Sequence, residues 1–70
     1  MNYNVTVMWD EEAQVWCAVC DDIPLALEND SLDTLVKRVK IVALEILELN
    51  TKLCKDTHLH FQVTYHERIA

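Results

Sequence analysis

The chain has 70 residues, and its twelve acidic and six basic residues give a formal net charge of −6. This length predicts one domain near the lower limit for a self-sufficient core, so contact with a second chain is expected. An acidic domain is poorly suited to hold phosphates, because nucleic-acid binding relies on Lys and Arg, and it is well suited to meet a basic protein. No apolar run reaches the length of a membrane span.

Three cysteines, Cys17, Cys20 and Cys54, are an odd number in a chain without a signal-peptide pattern. They are therefore expected to be free thiols in a reducing compartment, which predicts a cytoplasmic protein.

The first elements form a predicted β-hairpin, in which residues 3–9 and 14–20 are strands and residues 10–13 are the turn. Pairing Trp9 with Gln14 would also pair Val7 with Trp16. This register predicts one face with Tyr3, Val5, Val7, Trp16, Ala18 and Cys20, and another with Asn4, Thr6, Met8, Val15, Cys17 and Val19. Because both faces carry apolar side chains, both are expected to need cover.

A short third strand over residues 25–28 and a long helix are predicted next. Pro24 cannot donate to a sheet ladder and marks the entry to the strand. Either Asp30 or Ser31 can cap the helix, and Asp33 suits its dipole. The helix is expected to fade near residue 50, and its apolar residues are Leu32, Leu35, Val36, Val39, Val42, Ala43, Ile46, Leu47 and Leu49. Ile41 and Leu44 also lie on its polar side, where a lone monomer would prefer charged residues.

The last strand alternates strictly between apolar and polar residues. One side carries Leu59, Phe61, Val63 and Tyr65, and the other carries His58, His60, Gln62, Thr64 and His66. The sequence therefore predicts an α+β fold of order β-β-β-α-β, with a four-stranded sheet and one long helix on one face. A right-handed crossover would bring the last strand parallel to the first. The uncovered apolar residues predict a partner or dimer interface formed by Met8, Val15, Cys17, Val19, Ile41 and Leu44.

The Cys17-x-x-Cys20 spacing is found in redox and zinc motifs that need a tight turn to bring both sulfurs together. On a strand, positions three apart point to opposite faces, so the two thiols are expected not to meet. Both cysteines are interpreted as small apolar residues.

His58 and His60 lie about 6.6 Å apart along a strand and could frame a metal, whereas His66 is too distant to join them. A solvated or interface face is the favoured interpretation, and a pH-sensitive interface is an open alternative. The acidic residues gather at predicted turns and caps, where local hydrogen bonding accounts for them. Nothing in the spacing places a nucleophile beside a base, and the chain has no glycine for a phosphate loop. No catalytic, cofactor or metal site is therefore predicted, and an enzyme is not expected.

Four segments, residues 5–13, 15–18, 21–24 and 30–35, resemble the HicB-like antitoxin superfamily, closest to its short single-domain bacterial branch. The most specific parts are the hairpin with Trp16 and Ala18 and the corner at residues 22–24. The resemblance implies a reduced ribonuclease H-like fold and a cytoplasmic protein that neutralises a small basic mRNA-cleaving toxin. DNA binding is not implied, because the usual C-terminal module is not recognised before Ala70. Leu25 departs from the family, which often has Gly after the proline.

Three functions follow as hypotheses. The first is a protein-binding, antitoxin-like module whose partners are a small basic toxin and a second copy of itself, without nucleic acid or membrane. The second is a homo-oligomeric structural or regulatory protein without a toxin. The third is a metal-dependent enzyme that uses the turn acids or His58 and His60.

Overall fold

The structure is a computed structural model that describes residues 1–51, 55–67 and 69. Its elements are β1 (Asn2–Asp10), β2 (Val15–Cys20), β3 (Leu25–Asn29), α1 (Leu32–Leu49) and β4 (His58–Thr64). They form a sheet of order β3-β2-β1-β4, in which β1 pairs antiparallel with β2 and parallel with β4. The predicted α+β fold, including the placement of the last strand beside the first, is confirmed.

Helix α1 begins at a local hydrogen-bonded cap. The Ser31 hydroxyl accepts a hydrogen bond from the Thr34 backbone N–H at 3.3 Å, and the Asn29 side-chain oxygen accepts one from the Ser31 N–H at 2.8 Å. Of the two predicted caps, the structure therefore selects Ser31, with Asp33 in the first turn. Within the described residues, no helix combines the length and apolarity needed to cross a membrane.

The buried stripe of α1 is narrower than predicted. It consists of Leu35, Val39, Ala43 and Leu47, each four residues from the next. Leu49 was predicted to share the apolar side but is 84% exposed. Two residues past Leu47, it is rotated about 200° around the helix axis and points away from the sheet.

The predicted hairpin register is wrong by two residues. Trp9 lies opposite Trp16, rather than Gln14, and Val7 lies opposite Ala18. Asp10 stays in the strand opposite Val15, so the connection is a four-residue loop instead of a turn that includes Asp10. An even shift keeps every side chain on its predicted face, and the face assignments are confirmed.

Asp10 explains the wider loop. Its carboxylate accepts hydrogen bonds from the backbone N–H groups of Glu12 and Ala13 at 3.1 and 3.2 Å. Its carbonyl oxygen accepts one from the Gln14 N–H at 2.8 Å, and Gln14 adopts a left-handed φ of 57°. These contacts satisfy the backbone of a turn that extends through residue 14.

The core lies between α1 and one face of the sheet. Its buried residues are Tyr3, Val5, Val7, Ala18, Cys20, Ile23, Leu25, Leu35, Val39, Ala43 and Leu47. Helix α1 approaches β3 and β2 more closely than the other two strands. As a result, Leu59 and Phe61 of β4 are only partly buried, and Val63 is 45% exposed.

We expect Leu35→Ala to lower the free energy of unfolding by about 2–5 kcal/mol, because Leu35 is fully buried and the substitution leaves a cavity. Leu49→Ala, a matched control on the same helix, should change it by less than about 0.5 kcal/mol. Urea unfolding followed by circular dichroism measures both values. Equal losses in the two variants would contradict the observed orientation of α1.

Candidate functional site

The sheet face opposite α1, which we call the open face, carries four of the six predicted interface residues. Met8 lies directly across from Cys17, and Val15 and Val19 lie along the same strand as Cys17. Met8 is 54% exposed and Val19 is 47% exposed, whereas Val15 and Cys17 are partly buried. The structure therefore brings these four side chains together on one accessible apolar surface.

The other two predicted interface residues lie elsewhere. Ile41 and Leu44 are exposed on the outward side of α1. Helix and sheet core separate them from the open face, so the six residues form two patches on opposite sides of the molecule. Their role as an interface stays a prediction.

The surroundings of Cys17 show that negative charges lie close to the open face. Its Sγ atom lies 4.0 Å from a carboxylate oxygen of Glu28. The pKa of the Cys17 thiol is raised by burial and, secondly, by the negative charges of Glu28 and Asp10. The thiol therefore stays protonated near neutral pH, which disfavours a nucleophilic role.

The two cysteines of the C-x-x-C string point to opposite faces, as predicted. Cys20 is buried under α1, whereas Cys17 lies on the open face, and both are free. Cys54 lies outside the described residues.

His58 and His60 lie on the side of β4 that belongs to the open face. The ring centroids of His58 and His60 are 6.5 Å apart, and His60 Nε2 lies 3.2 Å from the side-chain oxygen of Asn2. In the described part of the chain, no group of three or more His, Cys, Asp or Glu side chains is arranged to hold a metal ion. His66 lies beyond the end of β4.

A cluster of three aromatic residues was not predicted. The ring centroids of Trp9 and Trp16 are 5.1 Å apart, and Tyr65 lies 5.6 Å from Trp16 and 6.4 Å from Trp9. The cluster depends on the observed register, which places the two tryptophans opposite each other. The predicted register placed Trp9 opposite Gln14 and only diagonal to Trp16. Both tryptophans flank the hairpin turn in the sequence, which could have indicated the direct pair.

Acidic side chains surround these rings. The Trp9 indole N–H donates a hydrogen bond to the Glu11 carboxylate at 2.7 Å. The pKa of the Tyr65 hydroxyl is raised, mainly by the charge of Glu67 and to a smaller extent by burial, a hydrogen bond with Glu67 and the charge of Glu11. We call this set the acidic aromatic patch, and its members are Trp9, Trp16, Tyr65, Glu11, Asp30 and Glu67.

The acidic aromatic patch has an accessible concave surface. Asp30 and the three rings line a hollow of about 390 Å³, and Tyr65 is 52% exposed. Aromatic faces beside carboxylates attract cations, both through the ring quadrupole and through charge. The geometry therefore favours the binding of a Lys or Arg side chain.

We expect Glu28→Gln to lower the pKa of the Cys17 thiol, because it removes one of the two negative charges that oppose ionisation of the thiol. Iodoacetamide alkylation of Cys17, measured against pH by peptide mass mapping, should then proceed faster near neutral pH. Glu45→Gln, on the exposed side of α1, is the matched control and should leave the profile unchanged. If Glu28→Gln also leaves it unchanged, the negative field assigned to the open face is wrong.

Comparisons with known proteins identify a family. Residues 2–70 match the family described as Domain of unknown function (DUF1902). A similar solved structure is the hypothetical protein TTHA1013 from the extremely thermophilic bacterium Thermus thermophilus. It is 32% identical, with a TM-score of 0.82, and the match covers 99% of this chain and 100% of that one. No curated protein matches. The chain therefore belongs to the DUF1902 domain family.

Proposed function

We propose that this protein is a non-enzymatic protein-binding module of the HicB-like antitoxin type, which masks a small basic mRNA-cleaving toxin in the bacterial cytoplasm. The observation that carries the proposal is the acidic aromatic patch. Its three rings and three carboxylates lie together at one end of the sheet and remain partly accessible.

The chemistry of the patch suits a basic protein partner. Tryptophan and tyrosine are enriched among residues that dominate binding energy at protein interfaces. A Lys or Arg side chain over such a ring contributes about 0.5–2 kcal/mol. The net charge of −6 adds long-range attraction for a basic protein and speeds its association.

The open face extends this surface. A groove of about 710 Å³ at the end of β1 is lined by Met8 of the open face and by Trp9, Glu11, Tyr65 and Glu67 of the patch. A partner that occupies the groove would contact the charged patch and the apolar face together. Such a combination supplies both electrostatic orientation and apolar burial, which a standard interface of about 800 Å² per partner requires.

The protein would mask the toxin because its carboxylates compete with RNA phosphates for the toxin's Lys and Arg side chains. An mRNA-cleaving protein holds the phosphates of its substrate with Lys and Arg. Carboxylates such as Glu11, Asp30 and Glu67 would pair with those cations and block access to RNA. No chemical step by this chain is needed.

A second candidate is a homo-oligomeric structural or regulatory protein without a toxin. It is favoured by the exposed apolar side chains of Met8 and Val19 on the open face. In that case the open face would be covered by another copy of the chain.

The test of the proposal uses any small basic protein that is encoded beside this gene, and a neighbourhood that encodes none would count against the proposal. We expect the two proteins to co-purify after co-expression, and we expect the complex to have lost the mRNA cleavage that the basic protein shows alone. Since both tryptophans belong to the patch, titration should also change the intrinsic fluorescence. The absence of capture and of inhibition would contradict the antitoxin proposal.

Tyr65→Lys should weaken this binding by roughly tenfold or more, because it replaces an aromatic contact with a like charge. Leu49→Lys adds the same charge at another exposed position and is the matched control. It should change the Kd only slightly. Equal effects of the two variants would show that net charge alone, rather than the patch, determines binding.

A further inference from the structure

Among the residues that the structure describes, no strand pairs with the outer edge of β4. The sheet order places β3 and β4 at its two margins. The His58 N–H donates to the Met1 carbonyl on the β1 side at 2.9 Å. Because backbone groups alternate along a strand, Leu59, Phe61 and Val63 direct their N–H and C=O groups outward. These groups are available to another strand.

The two margins of the sheet differ in how well they are protected. Strand β3 has five residues, follows Pro24 and carries Glu28. Strand β4 has seven residues and pairs with β1 at every position without a bulge. Proteins usually protect an exposed edge with charge, proline, a bulge or a cover. Strand β4 has no charged acid or base and no proline along its length.

We propose that β4 pairs antiparallel with β4 of a second copy of this chain, which joins two four-stranded sheets into a continuous sheet of eight strands. The strand is complementary to itself about Phe61. In this register Phe61 lies opposite Phe61 of the partner subunit, and Leu59 lies opposite the partner's Val63. His60 lies opposite the partner's Gln62, so apolar residues meet on one face and polar residues on the other.

The proposed pairing gives hydrogen-bond partners to the outward backbone groups of β4 and neighbours to its partly exposed apolar side chains. The outward groups of Leu59, Phe61 and Val63 fall at hydrogen-bonded positions of the antiparallel ladder, which gives about six main-chain hydrogen bonds. The same residues are the incompletely covered side chains on the helix side, because α1 lies closest to β3 and β2. One contact therefore pairs the polar edge and brings the two apolar columns side by side.

Charge favours a second copy as the occupant of this edge. The chain carries a net charge of −6, so most surfaces of two copies repel each other. Residues 57–66 contain no Asp, Glu, Lys or Arg. Two copies can approach there with the least repulsion, whereas a basic partner is drawn to the acidic aromatic patch. The β4 contact also leaves the open face uncovered, so it goes beyond the proposed function and does not depend on it.

The test compares the mass of the full chain and its variants by light scattering coupled to gel filtration. We expect the wild-type chain to have twice the monomer mass. Val63→Pro should halve that mass, because it removes an outward N–H without disturbing the ladder to β1. Val63→Thr retains the N–H and should remain dimeric. Val63→Lys provides a second edge variant if the proline variant does not fold by circular dichroism.

Hydrogen exchange locates the contact independently of these substitutions. The amides of Leu59, Phe61 and Val63 should be protected in the wild-type chain and should lose protection on dilution to the monomer. A wild-type monomer at all concentrations would overturn the proposal. So would a dimer that survives Val63→Pro and Val63→Lys but dissociates on Val19→Lys, since that result places the contact on the open face. Neither outcome bears on capture of the basic toxin.

Discussion

The packing of α1 on one face of the sheet is the constraint on which the rest of this structure depends. In the described part of the chain, apolar side chains occur on both faces of β1 and β2, but α1 covers only one of them. Val5, Val7 and Ala18 form the core with Leu35 and Val39. Burial of apolar area is the main stabilising term for a domain of this size. The chain therefore has more apolar side chains than this core buries, and the remaining ones stay exposed on the surface.

Uneven cover by α1 divides the exposed surface into regions of different chemistry. Because α1 lies closest to β3 and β2, the apolar side chains of Leu59, Phe61 and Val63 on β4 are only partly covered. The open face is apolar around Met8 and Val19, and burial, followed by the charges of Glu28 and Asp10, raises the pKa of its Cys17 thiol. At the end of the hairpin, carboxylates lie beside Trp9 and Tyr65. An apolar face, a neutral strand edge and an acidic aromatic patch each suit a different kind of contact.

Most of the fold was predictable because side-chain periodicity is a local property. The alternation of β4 and the spacing of Leu35, Val39 and Ala43 along the chain indicated the elements and their faces. The hairpin register was wrong because the backbone hydrogen bonds of Asp10 keep that residue in β1 and extend the loop to Gln14. The two-residue error kept the faces correct, but it placed Trp9 opposite Gln14 instead of Trp16. The direct pair of tryptophans, and its contact with Tyr65, was missed for this reason.

The sequence alone determined the order of the elements, the sides on which their residues lie and the acidic balance of the surface, since each depends on residue type and local spacing. Only the tertiary structure decided which side chains become neighbours across strands and how far α1 extends over the sheet. It brought Tyr65 to the two tryptophans and placed Ile41 and Leu44 away from Met8 and Val19. The physical reason is that register and helix placement are set by the combined packing and hydrogen bonding of distant segments, which no local pattern contains.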